Sequence, residues 1–156
     1  MRRARPGEAD GLRELAHRSK AYWPYSPEFL EAVRPMLQLS PQDVEAQQVW
    51  VMEMGERVAG WHRVTFHGAR AELEDLWLEP ELIGTGLGRP LFEHARAVAR
   101  EGGAMSLEWD AEPYAQGFYE AMGGYEVGRT PSVAEPGRTL PRMRLSLTQL
   151  PAPPDA

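Results

Sequence analysis

Hydrophobic and polar positions along the chain fall into two periods. Leu12, Leu15 and Ala16 recur at helical spacing within Glu8–Lys20, with acidic residues early, which predicts an amphipathic helix. Ahead of it, Met1–Arg5 reads as an edge strand broken by Pro6-Gly7. Phe29, Leu30 and Val33 form the apolar face of a second helix, capped by Ser26, with Pro27 at its first position and Pro35 at its end. Ser40-Pro41-Gln42-Asp43 signals one further helical turn. The period then shortens. Val49–Met54 is rich in strand formers, Gly55-Glu56 turns the chain, and Arg57–His67 returns. A second turn at Gly68-Ala69-Arg70 leads into Ala71–Leu78, which completes a three-stranded antiparallel meander. Gly60, inside the middle strand, predicts a bulge or a close neighbour. By strict alternation, Glu72 and Glu74 point to one face of the third strand and Asp75 to the other.

Pro80 stops that strand, and Gly84-Thr85-Gly86-Leu87-Gly88-Arg89 follows as a loop with alternating glycines. Leu91, Ala95 and Val98 then share one face of a helix over 88–100, closed by Gly102-Gly103. Ala104–Trp109 reads as a strand, so this unit predicts a right-handed parallel crossover. Tyr114–Met122 is a short helix ended by Gly123-Gly124. Tyr125–Gly128 and Met143–Leu147 supply the last strands, on either side of a loop holding Pro131, Pro136, Gly137 and Pro141. The expectation is one α/β domain over 1–148, a mixed, twisted, mostly antiparallel sheet of about six to seven strands flanked by about four helices. The tail 149–156, rich in proline, is expected to be disordered.

Composition narrows the chemistry. A length of 156 residues, 42% apolar and 26% charged, suits one globular domain. The net charge of −6 disfavours nucleic-acid binding. No apolar run approaches a membrane span and the N-terminus lacks the apolar core of a signal peptide, so a cytoplasmic protein without membrane partners is expected. The absence of cysteine excludes disulfides, thiolate metal sites and a cysteine nucleophile. His17, His62, His67 and His94 form no i, i+4 helical pair, so no metal is expected. Basic residues are almost all arginine, with Lys20 the only lysine.

A strand, a glycine loop and a helix start together make an anion site. Glycines let the backbone curl and approach a ligand, and the first helical turn offers unpaired N–H groups at the positive end of its dipole. A Walker phosphate loop fails, because no Gly-Lys-Ser/Thr follows the glycines. A dinucleotide fingerprint would place a third glycine where Arg89 stands. Glu108 does fall near a ribose-binding position, yet the chain has one strand–helix–strand unit rather than two dinucleotide halves.

The element order resembles the GNAT superfamily of acyl-CoA-dependent N-acyltransferases over nearly the whole chain. Leu76-x-Leu78-x-Pro80 and the loop carry the resemblance: Gly86 and Gly88 match the family's Gln/Arg-x-x-Gly-x-Gly/Ala pattern, with Ile83 in place of the leading Gln/Arg. Ala115-Gln116-Gly117-Phe118-Tyr119 through Gly123-Gly124-Tyr125 is similar to the family's Ala-x-x-Phe-Tyr-x-x-x-Gly-aromatic run, with Tyr114 where Asn often precedes it. Lys20–Ser26 and Arg138–Pro141 resemble a bacterial subgroup of the family. The resemblance implies acetyl-CoA as co-substrate and direct transfer to an amine of a small molecule or protein. It implies a central sheet whose parallel pair splays apart. It also implies that Ile83, Gly84, Thr85, Gly86, Leu87, Gly88 and Arg89 hold the diphosphate, that the backbone at Leu76 and Leu78 pairs with the pantetheine arm, and that the Leu78 N–H polarises the thioester. Tyr119 falls at the general-acid position, and homodimers are common among such proteins. For a general base, the residues themselves point to Glu74 on the central strand, with Glu108 as a further candidate. The competing reading for such carboxylates is a solvated face or an ion pair with arginine. Tyr22, Trp23, Tyr25, Trp77 and Trp109 read as walls of the acceptor pocket or as core, and His62 and His67 as structural or exposed. A non-catalytic acyl-CoA-binding module is the alternative; it would keep the cradle but need neither Tyr119 nor Glu74.

Overall fold

The computed structural model describes residues 1–148 and places them around one seven-stranded sheet. The strands are β1 (Arg2–Arg3), β2 (Gln48–Met54), β3 (Arg57–His67), β4 (Arg70–Leu78), β5 (Ser106–Asp110), β6 (Tyr125–Pro131) and β7 (Thr139–Ser146), in the order β1-β2-β3-β4-β5-β7-β6. All neighbours are antiparallel except β4 and β5. The helices are α1 (Ala9–Lys20), α2 (Pro27–Val33), α3 (Pro41–Ala46), α4 (Gly88–Glu101) and α5 (Gln116–Ala121). This is the mixed α/β sheet with a single parallel pair that the element order led us to expect. The tail 149–156, expected to be disordered, lies outside the described residues.

Strand alternation sends side chains to two cores. Val49, Val51 and Trp61 pack with Leu12, Leu15 and Ala16 of α1 on one face. Val64, Ala71, Leu73, Leu107 and Trp109 pack with Phe92, Ala95 and Val98 of α4, and with Tyr119 of α5, on the other. The Trp61 indole donates to the Leu12 carbonyl at 2.9 Å, which gives this buried N–H a partner and ties α1 to the sheet.

Of the three bulges among the described residues, one falls at Val127 of β6 and the other two bear on the site. Ala59 of β3 is skipped in its pairing with β2, and its carbonyl accepts from Glu79 N–H at 2.8 Å instead. Next to it, a Cβ on Gly60 would stand 2.6 Å from the Trp77 carbonyl oxygen, so the two strands close here only around glycine. Gly60→Ala is therefore expected to cost about 2 kcal/mol, as overpacking against backbone does. A urea or thermal melt showing no loss would refute the close-approach argument. The second bulge corrects the expected faces of β4. Arg63 pairs with Asp75 and Val64 with Leu73, so Glu74 is the extra residue. Asp75 thereby joins Glu72 on one face rather than opposing it, because one inserted residue flips everything beyond it.

The loop expected over 129–141 is shorter than its prolines suggested. β6 ends at Pro131, paired with Thr139 at the start of β7, and Pro141 lies inside β7, paired to Arg129. Pro141 is tolerated because its nitrogen faces the end of β5, where its carbonyl accepts from Ala111 N–H at 2.8 Å.

Candidate active site

β4 and β5 pair over only three residues each, Arg70–Glu72 against Ser106–Glu108. Beyond Glu72 the strands part. Glu79 N–H points to β3, where it bonds the Ala59 carbonyl. N–H and C=O directions alternate along a strand, so the backbone groups of Leu78 and Leu76 point the other way, into the opening. A cavity of about 440 Å³ lies there. Leu76, Trp77 and Leu78 of β4 line it, as do Ile83, Gly84, Gly86, Gly88 and Arg89 of the loop and Phe118 and Tyr119 of α5.

The loop is built for close approach. Gly84 and Gly86 adopt φ of +83° and +92°, a region that L side chains rarely enter. A Cβ on either would meet no atom of the described residues beyond its chain neighbours within 4 Å, so the space above them is open. Gly88 opens α4, and a Cβ there would crowd the Phe118 ring at 3.1 Å. Among the described residues no side chain caps α4. The first backbone bond into it runs from Leu91 N–H to the Leu87 carbonyl. The N–H groups of Gly84, Gly86, Leu87, Gly88 and Arg89 thus have no protein acceptor among the described residues. Thr85 bonds back onto the loop instead: its N–H and hydroxyl both donate to the Leu82 carbonyl, at 3.2 and 2.5 Å. Thr85 and Leu87 do not line the cavity; Leu87 packs against the small core of Met52, Ala59 and Leu91.

Tyr119 is 8% exposed and packs edge-on against Phe92 and Phe118 and tilted against Trp109, yet it reaches the cavity wall. Burial, and then the charge of Glu112, pushes its phenol pKa up, which keeps the hydroxyl protonated.

The carboxylates are distributed differently from expectation. Glu74 is exposed, accepts from the Thr65 hydroxyl at 2.8 Å, and is absent from the cavity lining. Glu108 is 8% exposed and lies between Arg142 and Arg144, at 3.6 and 3.4 Å. Glu72 is held by both Arg142 amino groups at 2.5 and 2.6 Å. These residues form an ion-pair lattice on one face of the sheet. Asp75 is buried between Arg63 Nε at 2.7 Å and the Trp77 indole N–H at 2.9 Å, which fixes the indole on the cavity wall. Burial raises the Asp75 pKa against the pull of Arg63.

Glu112 is the one carboxylate lining the cavity among the described residues. It follows the C-terminal end of β5 and accepts from Lys20 Nζ, from the Tyr25 hydroxyl and, at 3.3 Å, from Tyr114 N–H. Arg138 Nη2 donates to the Tyr25 oxygen at 2.6 Å. Trp23 and Tyr114 stack at 5.6 Å and line this end together with Ser19 and Trp77. Sequence reasoning passed over Glu112. Its available signal was position, a carboxylate just past the end of the parallel strand, where ligands gather in open α/β sheets. Of the expected aromatic walls, Trp23 and Trp77 line the cavity, Tyr25 stands behind Glu112, Tyr22 packs edge-on to Trp23, and Trp109 is core. His62 is buried and structural; His67 is exposed and bonds Thr65. Among the described residues no cluster of three or more His, Cys, Asp or Glu side chains could hold a metal ion, and no helix is long and apolar enough to cross a membrane.

The sequence profile of the acetyltransferase (GNAT) family matches residues 11–124, more than half of the chain. Among curated proteins none matches this sequence. Several solved structures share the fold. PaiA N-acetyltransferase of Thermoplasma acidophilum, in complex with coenzyme A, is 17% identical, with 93% of this chain and 96% of that chain covered and a TM-score of 0.75. YncA of Salmonella typhimurium, a putative acetyltransferase solved with acetyl-CoA, is 19% identical, with 99% and 97% covered and a TM-score of 0.68. The ribosomal-protein-S18-alanine N-acetyltransferase of Escherichia coli is 18% identical, with 96% and 94% covered and a TM-score of 0.69. The matched profile spans the sheet opening, the glycine loop and α5 alike, and by it the chain belongs to the acetyltransferase (GNAT) family.

Proposed function

We propose that this chain moves an acetyl group from acetyl-CoA to a primary amine by direct transfer in a ternary complex. One observation carries the reading: unbonded loop amides, an opened β4–β5 pair and a cavity-facing tyrosine converge on the same space. The residues present fit coenzyme A. The amides of Gly84, Gly86, Leu87, Gly88 and Arg89 would hold its diphosphate at the positive end of α4, and the backbone of Leu76 and Leu78 would pair with its extended arm as an added strand would. Acetyl-CoA supplies an activated thioester. The chain's own groups do the rest. Leu78 N–H donates to the oxygen that becomes anionic. Tyr119, kept protonated by its surroundings, donates to the departing sulfur. Glu112 takes the proton that the amine must lose. In this reading Glu74 stays on the outer face of the sheet, bonded to Thr65, without a part in proton transfer. The acceptor is an amine of a small molecule or of a protein, and the aromatic lining of Trp23, Trp77 and Tyr114 favours one with an apolar body.

The test has two parts. Calorimetry with coenzyme A measures the cradle. Thiol release from acetyl-CoA with 2-phenylethylamine, spermidine and a peptide bearing a free N-terminus measures transfer. Tyr119→Phe should lower kcat about tenfold and leave coenzyme A affinity unchanged; the loss is modest for acid catalysis because a thiolate leaves readily without help. No binding would sink the reading. Binding without turnover, with Tyr119→Phe silent, would favour the acyl-CoA-binding module.

A further inference from the structure

The chain carries 16 arginines and a single lysine. That lysine sits where a removable proton would matter. Lys20 ends α1 with its side chain 12% exposed and its ammonium against Glu112, itself 13% exposed. Its Nζ lies 4.8 Å from the Tyr25 ring centroid and 5.8 Å from that of Phe29. Arg138 covers the same two rings, at 5.0 and 4.7 Å, and donates to the Tyr25 hydroxyl. The charged and titratable groups facing Lys20 are therefore Glu112, which favours its charged form, Arg138, which opposes it, and the neutral Tyr25 phenol. Burial outweighs Glu112 and lowers the Lys20 pKa, while it raises that of Tyr25. A bidentate arginine would make the stronger structural pair with Glu112. What lysine has and arginine lacks is the ability to give up its proton.

We infer that Lys20 and Glu112 form a proton-transfer pair, in which Glu112 takes the acceptor's proton and Lys20 receives it. The inference rests on reading the cavity as an acyltransfer site. The step balances. An N–H bond of the acceptor ammonium breaks and its electron pair stays on that nitrogen. Lys20, an ammonium in the ion pair, first gives one proton to water; the acceptor's proton then passes to the Glu112 carboxylate and on to the amine so formed, which becomes ammonium again. Tyr25 and Arg138 are positioning residues: their donated hydrogen bonds hold the Glu112 carboxylate toward the cavity.

Because there is one lysine, protein labelled with 13C-lysine gives one side-chain Cε signal, and its pH titration reports Lys20 directly, without any acceptor. The expected midpoint lies below the ordinary lysine value of about 10.4, and Glu112→Gln lowers it further by removing the charge that supports the ammonium. A midpoint at or above the ordinary value, or one that Glu112→Gln leaves in place, overturns the inference. Lys20→Arg keeps the positive charge but cannot release it. With the fastest amine of the panel, its kcat should fall at least tenfold at unchanged KM for acetyl-CoA, and its rate should climb with pH toward the amine's own pKa. A variant with wild-type kcat and pH profile also overturns the pair. Coenzyme A affinity of Lys20→Arg, measured by calorimetry, reports the cradle alone. A failure of the lysine titration and a failure of the acyltransfer reading are thereby separate results.

Discussion

The double variant Gly84→Ala/Gly86→Ala should bind coenzyme A about 100-fold more weakly than the parent chain. Both glycines hold positive φ, at +83° and +92°. An alanine in a left-handed conformation costs roughly 1–2 kcal/mol per residue. The unliganded loop can shed that strain by relaxing to an ordinary turn, since an added Cβ at either position would meet no atom of the described residues beyond its chain neighbours within 4 Å. To bind, it must return to the curled form in which the amides converge. The strain then appears in affinity, about 3 kcal/mol for the two residues, and each 1.4 kcal/mol is tenfold. Calorimetry with coenzyme A measures this. The control is Gly68→Ala in the β3–β4 turn, also at positive φ and also uncrowded, but remote from the cavity. It should carry similar strain and leave affinity unchanged. If the double variant binds like the parent, the amides at 84–89 are not the anion grip.

The largest share of the fold's acid sensitivity should trace to one buried histidine. His62 of β3 is wholly buried, with Nε2 facing His94 Nδ1 of α4 at 2.8 Å and its own Nδ1 without a partner among the described residues. One hydrogen fits between the facing nitrogens, so the pair tolerates no second charge. Burial, and then His94, pushes the His62 pKa down to about 3. The folded state therefore holds His62 neutral while the unfolded chain takes up a proton near pH 6.5. Below that value the unfolded state binds more protons, so stability is full above it and drains as pH falls toward 3. Between pH 7 and pH 5 the loss should reach about 2 kcal/mol, roughly a 30-fold change in the folding equilibrium. His62→Leu should remove the largest share of this slope; His17 and His94, whose pKa values burial also lowers, keep the remainder. Urea unfolding at pH 7, 6 and 5 reads it directly. An equal slope in parent and variant would place the acid sensitivity elsewhere.

Much of the candidate site could be read from one stretch because its chemistry is local. Backbone amides, positive-φ glycines and a helix start lie within a few residues of one another, so Gly84, Gly86 and Gly88 announce them directly. The helical face of Leu91, Ala95 and Val98 and the two-residue period of the meander were visible for the same reason: periodicity is written residue by residue. Carboxylates behave otherwise. Glu72, Glu74, Glu108 and Glu112 look alike in sequence, and their roles depend on what stands opposite. Arg142 comes from a strand 70 residues away from Glu72, and Lys20 from a helix 92 residues away from Glu112. One inserted residue at Glu74 also turned Asp75 onto the face of Glu72, which no alternation count anticipates.

Order and type of elements, the glycine loop at the start of α4 and the tyrosine of α5 were thus dictated by local pattern, since each depends on neighbours in the chain. Which carboxylate faces the cavity, where β4 leaves β5, and how the sole lysine comes to rest on Glu112 were decided only when distant segments met. Burial and charge pairing are properties of that meeting, and no single segment carries them.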